Sequence, residues 1–361
     1  MNLNYFDKSK ILIVGGAGFV GSNLRRMILS ENEKVSIVIV DNLLSSEKIN
    51  IPDDYRVHFL EGSITDDNIL KQIDDTFDYI FHLATYHGNQ SSIYDPLKDH
   101  ENNTLTTLKL LNHLKNFKRI KKFVYSSAGC SVAEKTFDTA KPTTENDPIN
   151  LNQDSPYSIS KIIGEFYCVY FHKQHKIPTV RARFQNVYGP GEILGAGQWR
   201  GTPATVWRNV TPTFIYKAIK GLPIPLENEG RATRDFIYVD DICMGLILCA
   251  LKGKEGDVYN LGTNKETSIR ELAELILKLT SSKSKIEFLP KRPWDNSGKR
   301  YASIEKAKRE LNFTPQVDIE EGLKRTIEWT LKNLDVIEKC IEKHRERLIE
   351  YEKRNLQERT K

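Results

Sequence analysis

A chain of 361 residues, 39% of them hydrophobic, is long enough for one large or two moderate domains with a sizeable core. Its 53 basic and 48 acidic residues leave a formal net charge of only +5 and form no long basic run, which excludes a nucleic-acid footprint. Five cysteines, at 130, 168, 243, 249 and 340, form no C-x-x-C pair, so reduced thiols are expected and a zinc site or disulfide framework is not. The polar N-terminus carries no signal-peptide apolar region. The longest apolar run, about Cys243 to Leu251, is too short to span a bilayer, so the expectation is a soluble cytoplasmic protein.

The first apolar run, Ile11 to Val14, stops at Gly15. Gly15, Gly18 and Gly21 are spaced G-x-x-G-x-x-G and open an amphipathic helical pattern with Phe19, Val20, Leu24, Met27 and Ile28 on one face. In that pattern the first glycine makes a tight turn, the second lets backbone approach a pyrophosphate and the third lets the helix lie close to the sheet. The pyrophosphate would rest on unpaired N–H groups at the helix N-terminus. A second strand, Val35 to Val40, ends in Asp41. A carboxylate there accepts ribose hydroxyls and repels the 2′-phosphate of NADP, so the cofactor expected is NAD.

Further strands are expected at Val57–Leu60, Tyr79–Ala84, Lys122–Ser126 and Thr179–Arg183. Helical patterns lie between them, at Asn103–Asn116 and at about Tyr157–Gln174, the latter with Ile159, Ile162, Ile163, Phe166 and Tyr170 facing inward. This alternation predicts an α/β fold, a Rossmann-type doubly wound parallel sheet. From about Asn186 to Arg234, Gly, Pro, Trp and Thr dominate, and an irregular, specificity-bearing region is expected. Trp199 and Trp207 there either stack on a base or sugar or fill the lobe. A strand at Phe236–Val239, a helix capped by Asp240 and a strand at Asp257–Leu261 then return to the first domain.

The expected organisation is an NAD-binding domain over 1–185 plus about 236–265. A smaller, interleaved substrate lobe takes about 186–235 and 266–330, and a charged helix or tail runs from about 331 to 361. From about Asp318 onward the chain reads as one long charged helix. Its stripe of Leu334, Ile337, Ile341, Leu348 and Tyr351 packs on the chain's own domain or, as the lesser reading, forms an oligomer seam.

Tyr157 and Lys161 stand one helical turn apart, on one face. A lysine ammonium beside a phenol, with a positive nicotinamide nearby, lowers the phenol pKa. The phenolate can then take a hydroxyl proton while the same carbon gives up hydride.

With these residues in order, the chain resembles the extended short-chain dehydrogenase/reductases. The motifs are Gly15/Gly18/Gly21, Asp41, His82-Leu-Ala84, Asn103, Tyr125-Ser-Ser127, Tyr157/Lys161, Arg183-Phe-Gln-Asn-Val-Tyr-Gly-Pro190 and Arg234-Asp-Phe-Ile-Tyr-Val-Asp240. The resemblance covers about residues 8 to 332. It is to the nucleotide-sugar epimerase/dehydratase branch, especially the epimerase/dehydratases of bacterial O-antigen clusters and more distantly the GDP-mannose 3,5-epimerases.

That resemblance implies a cytoplasmic, homodimeric NAD enzyme acting on a nucleotide-diphosphate sugar, with UDP the commonest carrier, and no metal. It implies that NAD rests on Gly15, Gly18, Phe19, Val20, Asp41, Asn42, Ser63, Ile64, Leu83, Ala84 and Asn103, with Tyr157 and Lys161. Asn186, Arg234 and Arg292 would hold the diphosphate, Asp295 a ribose, and His87 would face the sugar or sit in a polar loop. His82 reads as a core histidine.

Three positions depart from the branch. Ala128 stands where a third hydroxyl is usual, and Ser127 is expected to take over. Gly129-Cys130 replaces the Asp-Glu pair of 4,6-dehydratases, which demotes dehydration. Ser63 replaces an aspartate that contacts adenine. Cys130 matches a proton-shuttling cysteine of the 3,5-epimerases or is a small hydrophobe at a strand end. The opposing lysine of those enzymes is Val210 here, with Arg208 nearby. The expected activity is C4 epimerisation, catalysed by Tyr157, Lys161 and Ser127. The alternatives are C3 or C5 chemistry through Cys130, or a non-catalytic NAD-binding protein.

Overall fold

The computed structural model describes residues 4–133, 136–296 and 298–359. The chain enters through β1 (Lys10–Val14), turns at Gly15 and continues as α1 (Phe19–Glu31). β2 (Ser36–Asp41) and β3 (Val57–Glu61) follow, then α2 (Asp67–Leu70), where the Asp66 carboxylate accepts the Asn68 N–H. After β4 (Tyr79–His82) come α3 (Asn89–Tyr94), α4 (Pro96–Asp99), a π-helical stretch over His100–Leu105, and α5 (Thr106–Leu114). β5 (Lys122–Ala128) leads to α6 (Pro156–His175), which starts on Pro156 with the Ser155 hydroxyl accepting the Ser158 N–H.

β6 (Thr179–Phe184) and β7 (Asn186–Tyr188) then precede a long irregular stretch and α7 (Val210–Ile219). β8 (Ile224–Glu227), β9 (Thr233–Arg234), β10 (Phe236–Tyr238), α8 (Val239–Lys252) and β11 (Val258–Leu261) follow. β12 (Thr267–Ser268), α9 (Ile269–Thr280), β13 (Ile286–Leu289) and α10 (Glu305–Leu311) come next. The chain closes with α11 (Ile319–Lys332), α12 (Leu334–Glu342) and α13 (Arg345–Arg359).

Seven strands form one parallel sheet in the order β11-β6-β5-β4-β1-β2-β3. Successive residues of a strand point to opposite faces. Here both faces are covered, so the strands read as continuous apolar runs. Ile11, Ile13, Ile37 and Ile39 go to one core with Leu24 of α1 and Leu246 of α8. Leu12, Val14, Val38 and Val40 go to the other with Leu110 and Leu111 of α5. The strand order reverses between β1 and β4, and the crevice beyond their carboxyl ends is where a doubly wound sheet binds ligands.

The smaller lobe carries the parallel pair β8/β13 and the antiparallel pair β9/β12. Phe214 and Ile215 of α7 and Leu272 and Ile276 of α9 belong to the same apolar cluster as the sheet face, so the lobe shares a core with the sheet.

Four local expectations change. The buried side of α6 holds Ser158, Ser160, Lys161, Ile162, Gly164, Glu165 and Cys168, while Ile159, Phe166 and Tyr170 are about half exposed. The 186–234 stretch contains a regular helix, α7. Asp240 does not cap α8: Tyr238 is the cap residue, and Asp240 lies in the first turn and pairs with Arg26 at 2.7 Å. The final segment is three helices, broken at Asn333 and after Lys343, because Ile337 and Cys340 fold back onto Ile193, Leu194, Ala196 and Tyr216. Leu334, Ile337 and Ile341 of the apolar stripe thus pack on their own chain.

Among the described residues no helix is long and apolar enough to cross a membrane, and no His, Cys, Asp and Glu cluster could hold a metal ion. All five cysteines are unpaired.

Candidate active site

A cavity of about 680 Å³ runs from the glycine turn across the carboxyl ends of β1, β4 and β5 into the smaller lobe. At its first end Gly15 has φ +85°, and a Cβ there would lie 2.5 Å from the Ala84 nitrogen. A Cβ on Gly21 would lie 2.3 Å from the Gly15 carbonyl oxygen. Both positions therefore require glycine, for the left-handed turn and for the close seat of α1. Gly18 opens α1 with no side chain capping it, leaving the first-turn N–H groups for an anion.

Asp41 fixes the turn from the side. Its Oδ2 accepts the Ala17 N–H at 3.0 Å, and its Oδ1 accepts the Leu43 N–H and the Ser46 hydroxyl, each at 2.9 Å. Burial raises its pKa against those hydrogen bonds. Phe19, Val20, Asn42, Ser63, Ile64, Leu83 and Ala84 line the same end. Ser63 Oγ accepts the Thr65 N–H and hydroxyl, so it shapes its own turn as well as facing the cavity. These residues fit a dinucleotide: a glycine cradle, free N–H groups and a carboxylate at the end of β2.

Asn103 stands apart. It does not line the cavity. It lies in the π-helical stretch, where its Oδ1 accepts the Thr85 hydroxyl and the Tyr86 N–H, and its Nδ2 donates to Asp99 at 2.7 Å. Its work is to hold the Thr85–Tyr86 turn that borders the cavity. His82 is fully buried, bonded to the Thr107 hydroxyl at 2.9 Å, and burial takes its pKa down to about 3.

At the middle of the cavity Tyr157 and Lys161 project from the first two turns of α6. The Lys161 Nζ lies 5.8 Å from the centre of the Tyr157 ring and donates to the Ser126 carbonyl at 2.9 Å. Burial pushes the ammonium down to about 8, against Asp99 and Cys130. Burial also holds the Tyr157 phenol well above its usual value, and Cys130 and Asp99 act the same way. A hydrogen bond with Thr85 and the charge of Arg300 oppose them. The acidified phenol expected from Lys161 is thus not a property of the protein alone, because burial of the phenol itself outweighs the cation beside it.

Ser127 lines the cavity and donates to Glu165 Oε1 at 2.5 Å. Arg183 grips that carboxylate with both ends of its fork, Nε to Oε1 at 2.8 Å and Nη2 to Oε2 at 2.9 Å, and Arg181 adds a contact at 3.3 Å. Burial raises the Glu165 pKa, but Arg183, Ser127 and Arg181 overcome it and hold the carboxyl below its usual range. Ser127 can therefore donate to a substrate oxygen only by turning its hydrogen away from Glu165. Ala128 offers only a methyl. Cys130, half-buried in the turn after β5, also faces the cavity.

The far end collects the residues expected to meet substrate: Asn186, Arg234, Arg292, Asp295 and His87 all line it. The Arg234 Nη1 donates to the Thr233 and Gly298 carbonyls at 2.6 Å each, and burial followed by Arg300 brings its pKa down to about 9. Arg292 pairs with Glu227 and lies over the Trp294 ring. The His87 ring stands edge-on to Tyr157 at 6.3 Å, and burial, then Arg208, Arg200 and Lys161, push its pKa to about 3. It is neutral near pH 7.

Trp207 and Val210 line the cavity, whereas Trp199 packs on His344. Arg208 braces the wall, donating to the Ser45 carbonyl at 2.9 Å and to the Ala196 carbonyl. Sequence reasoning missed Thr85, Glu165 and Arg300. Glu165 was within reach, since it follows Lys161 by four residues and so shares its helix face.

Sheet order, glycine turn and the Tyr157/Lys161 pair together define an NAD-dependent extended short-chain dehydrogenase/reductase. Residues 11–262 match the NAD dependent epimerase/dehydratase family, and the chain belongs to that family. It is therefore an NAD-dependent enzyme, not merely a binding protein. Its structure is similar to that of the Bordetella bronchiseptica enzyme WbmF in complex with NAD+ and UDP. That similarity has TM-score 0.87 and 60% identity, and covers 96% of this chain and 100% of that one. It is also similar to a Thermotoga maritima UDP-glucose 4-epimerase with UDP-glucose, at TM-score 0.80 and 30% identity over 90% and 99% of the two chains. A UDP-glucuronate 4-epimerase of Thermodesulfobacterium geofontis is 30% identical over 339 residues, 90% of this chain and 97% of its own.

Proposed function

We propose that this enzyme inverts C4 of a nucleotide-diphosphate sugar, with UDP as the carrier, in the cytoplasmic assembly of bacterial surface polysaccharide. One observation carries the reading: Tyr157, Lys161 and Ser127 stand at the middle of one cavity with a dinucleotide cradle at one end and Arg234 and Arg292 at the other. The likeness to a protein solved with NAD+ and UDP supports the two occupants. Five unpaired thiols suit a reducing compartment.

Bound NAD+ supplies the hydride acceptor and a positive charge beside the phenol. Tyr157 takes the C4 hydroxyl proton, Ser127 turns its own hydroxyl hydrogen from Glu165 to donate to the C4 oxygen, and Lys161 holds positive charge against the phenolate. Arg234 and Arg292 tether the diphosphate while the 4-keto sugar presents its other face; hydride would return to C4 from the reduced cofactor as Tyr157 returns the proton. Gly129 and Cys130 supply no carboxyl pair for 4,6-dehydration.

Cys130 keeps a second reading open, proton exchange at C3 or C5 of the ketone, because it faces the same cavity as Tyr157. A screen of nucleotide sugars by NMR in D₂O separates the two. C4 inversion leaves C3 and C5 unlabelled; deuterium at either would transfer the reaction to Cys130. Tyr157→Phe should keep its NAD and lose about 10²–10⁴-fold in turnover, and full activity would remove Tyr157 as the base.

A second copy of this chain is the proposed partner of the exposed side of α6. Ile159, Phe166 and Tyr170 there, and Ile93, Tyr94 and Leu97 of α3 and α4, which pack against α6, are all more than 40% exposed.

A further inference from the structure

Lys161 has to carry its charge where little water reaches it. It is 3% exposed, and its Nζ donates to an uncharged group, the Ser126 carbonyl. Among the described residues no carboxylate makes a direct ion pair with it. A buried ammonium gives up its proton unless an opposite charge stands near, and a positive nicotinamide beside it adds to that pressure.

The opposite charge lies on the π-helical side of α6. Asp99, the last residue of α4, is 1% exposed and immediately precedes the π-helical stretch. Asp99 and Asn103 are four residues apart, as Tyr157 and Lys161 are, and the two segments pack on each other. The Asn103 Nδ2 donates to Asp99 Oδ1 at 2.7 Å. The Ser160 hydroxyl, next to Lys161 in sequence, is shared between the Asp99 carboxylate and the Tyr157 carbonyl.

Burial raises the Asp99 carboxyl to about 6, against Ser160, Asn103 and the charge of Lys161. Burial takes Lys161 down to about 8, opposed first by Asp99 and then by Cys130. Near pH 7 both groups are therefore ionised. His100 and the phenols of Tyr86 and Tyr157 also face Asp99, whereas the Asp95 carboxylate accepts the Lys98 N–H and caps α4.

We propose that Asp99 is a positioning residue for the proton transfer at Tyr157: its carboxylate is the counter-charge that keeps Lys161 protonated inside the fold. Asp99 does not line the cavity, so it meets neither sugar nor cofactor. Its charge works against the phenolate directly, and its benefit reaches Tyr157 only through the ammonium. The inference rests on the reading above in one respect, that Tyr157 and Lys161 handle the proton.

The test is a pH titration by NMR of NAD-loaded protein carrying ¹³C at the lysine ε-carbons, with the Lys161 resonance assigned by its loss in Lys161→Arg. Asp99→Asn keeps an acceptor for Asn103 and removes the charge. It should lower the Lys161 midpoint by about one unit, a tenfold fall in the charged-to-neutral ratio. Asp99→Glu, which restores a carboxylate, should recover most of that shift. An unmoved midpoint in NAD-loaded Asp99→Asn overturns the proposal. Should Asp99→Asn fail to hold NAD, wild type decides: its Lys161 resonance should move a second time near pH 6, as Asp99 takes up a proton, and no such inflection overturns the proposal. No sugar nucleotide enters this titration. A screen in which no nucleotide sugar reacts overturns the nucleotide-sugar reading instead and leaves the result on Lys161 standing.

Discussion

Ser127 earns a place at the cavity because of what lies behind it. Glu165 and Arg183 form a buried, two-pronged ion pair, and Ser127 spends its only hydrogen on it. The serine oxygen is therefore oriented before substrate arrives, which is what an active-site hydroxyl needs when its neighbour, Ala128, has none. Glu165→Gln keeps the volume but weakens that hold. Breaking a buried pair costs about 3–5 kcal/mol, so the variant should melt earlier. Below its melting range it should show kcat lowered roughly tenfold with KM and NAD content unchanged. Ser127→Ala in the Glu165→Gln background should then cost little more. A KM change with kcat intact would make Glu165 a purely structural residue.

Helix α6 shows how an element can be right in extent and wrong in orientation. Its span is visible in the sequence, from Pro156 to the histidines and lysine of its last turn. Its inward face is not, because apolar periodicity points to core only where the core asks for apolar groups. Here the inward side must deliver Tyr157, Lys161 and Glu165 to the cavity, so the polar stripe is buried and Ile159, Phe166 and Tyr170 are left outside. A helix with an apolar outer stripe is a helix with an unmet neighbour. Light scattering should give twice the chain mass for wild type. It should give the single-chain mass for Ile159→Glu/Phe166→Glu, with NAD still bound. A monomeric wild type would sink the second-copy assignment.

At the scale of the whole molecule, the parallel sheet and the glycine cradle are legible in the residues, since strands buried on both faces must read as unbroken apolar runs. The cavity's far wall is not. Arg300 sits in an aperiodic stretch, and its position follows from the pairing of residues 299–303 with Thr136 and Thr143 and from the bond of its own N–H to the Thr233 hydroxyl. The breaks in the final helices depend likewise on contacts with Ile193 and Leu194, far away in sequence.

Burial also leaves a mark on acid stability. His82 is neutral in the fold, with its pKa taken to about 3 from 6.5, whereas the unfolded chain protonates it near 6.5. The unfolded state therefore binds the extra proton between those values, and this residue's contribution to stability is lost as pH falls from about 6.5 toward 3. Glu192, pushed up to about 7 by burial, and Asp99, to about 6, act in the opposite sense, so the difference between variants is the clean measure. The stability advantage of wild type over His82→Gln should shrink by about 2 kcal/mol between pH 7.5 and 5 in urea titrations. A pH-independent difference would mean that the imidazole is not held neutral.

The last helices also set the order in which the molecule becomes competent. His344 reaches back 149 positions to the Gly195 carbonyl, and Lys343 meets Glu47 in the loop after β2. A nascent chain emerging from the ribosome therefore completes its phenol–lysine pair long before the brace on its pocket wall exists. A fully braced pocket wall therefore waits on residues 343 and 344.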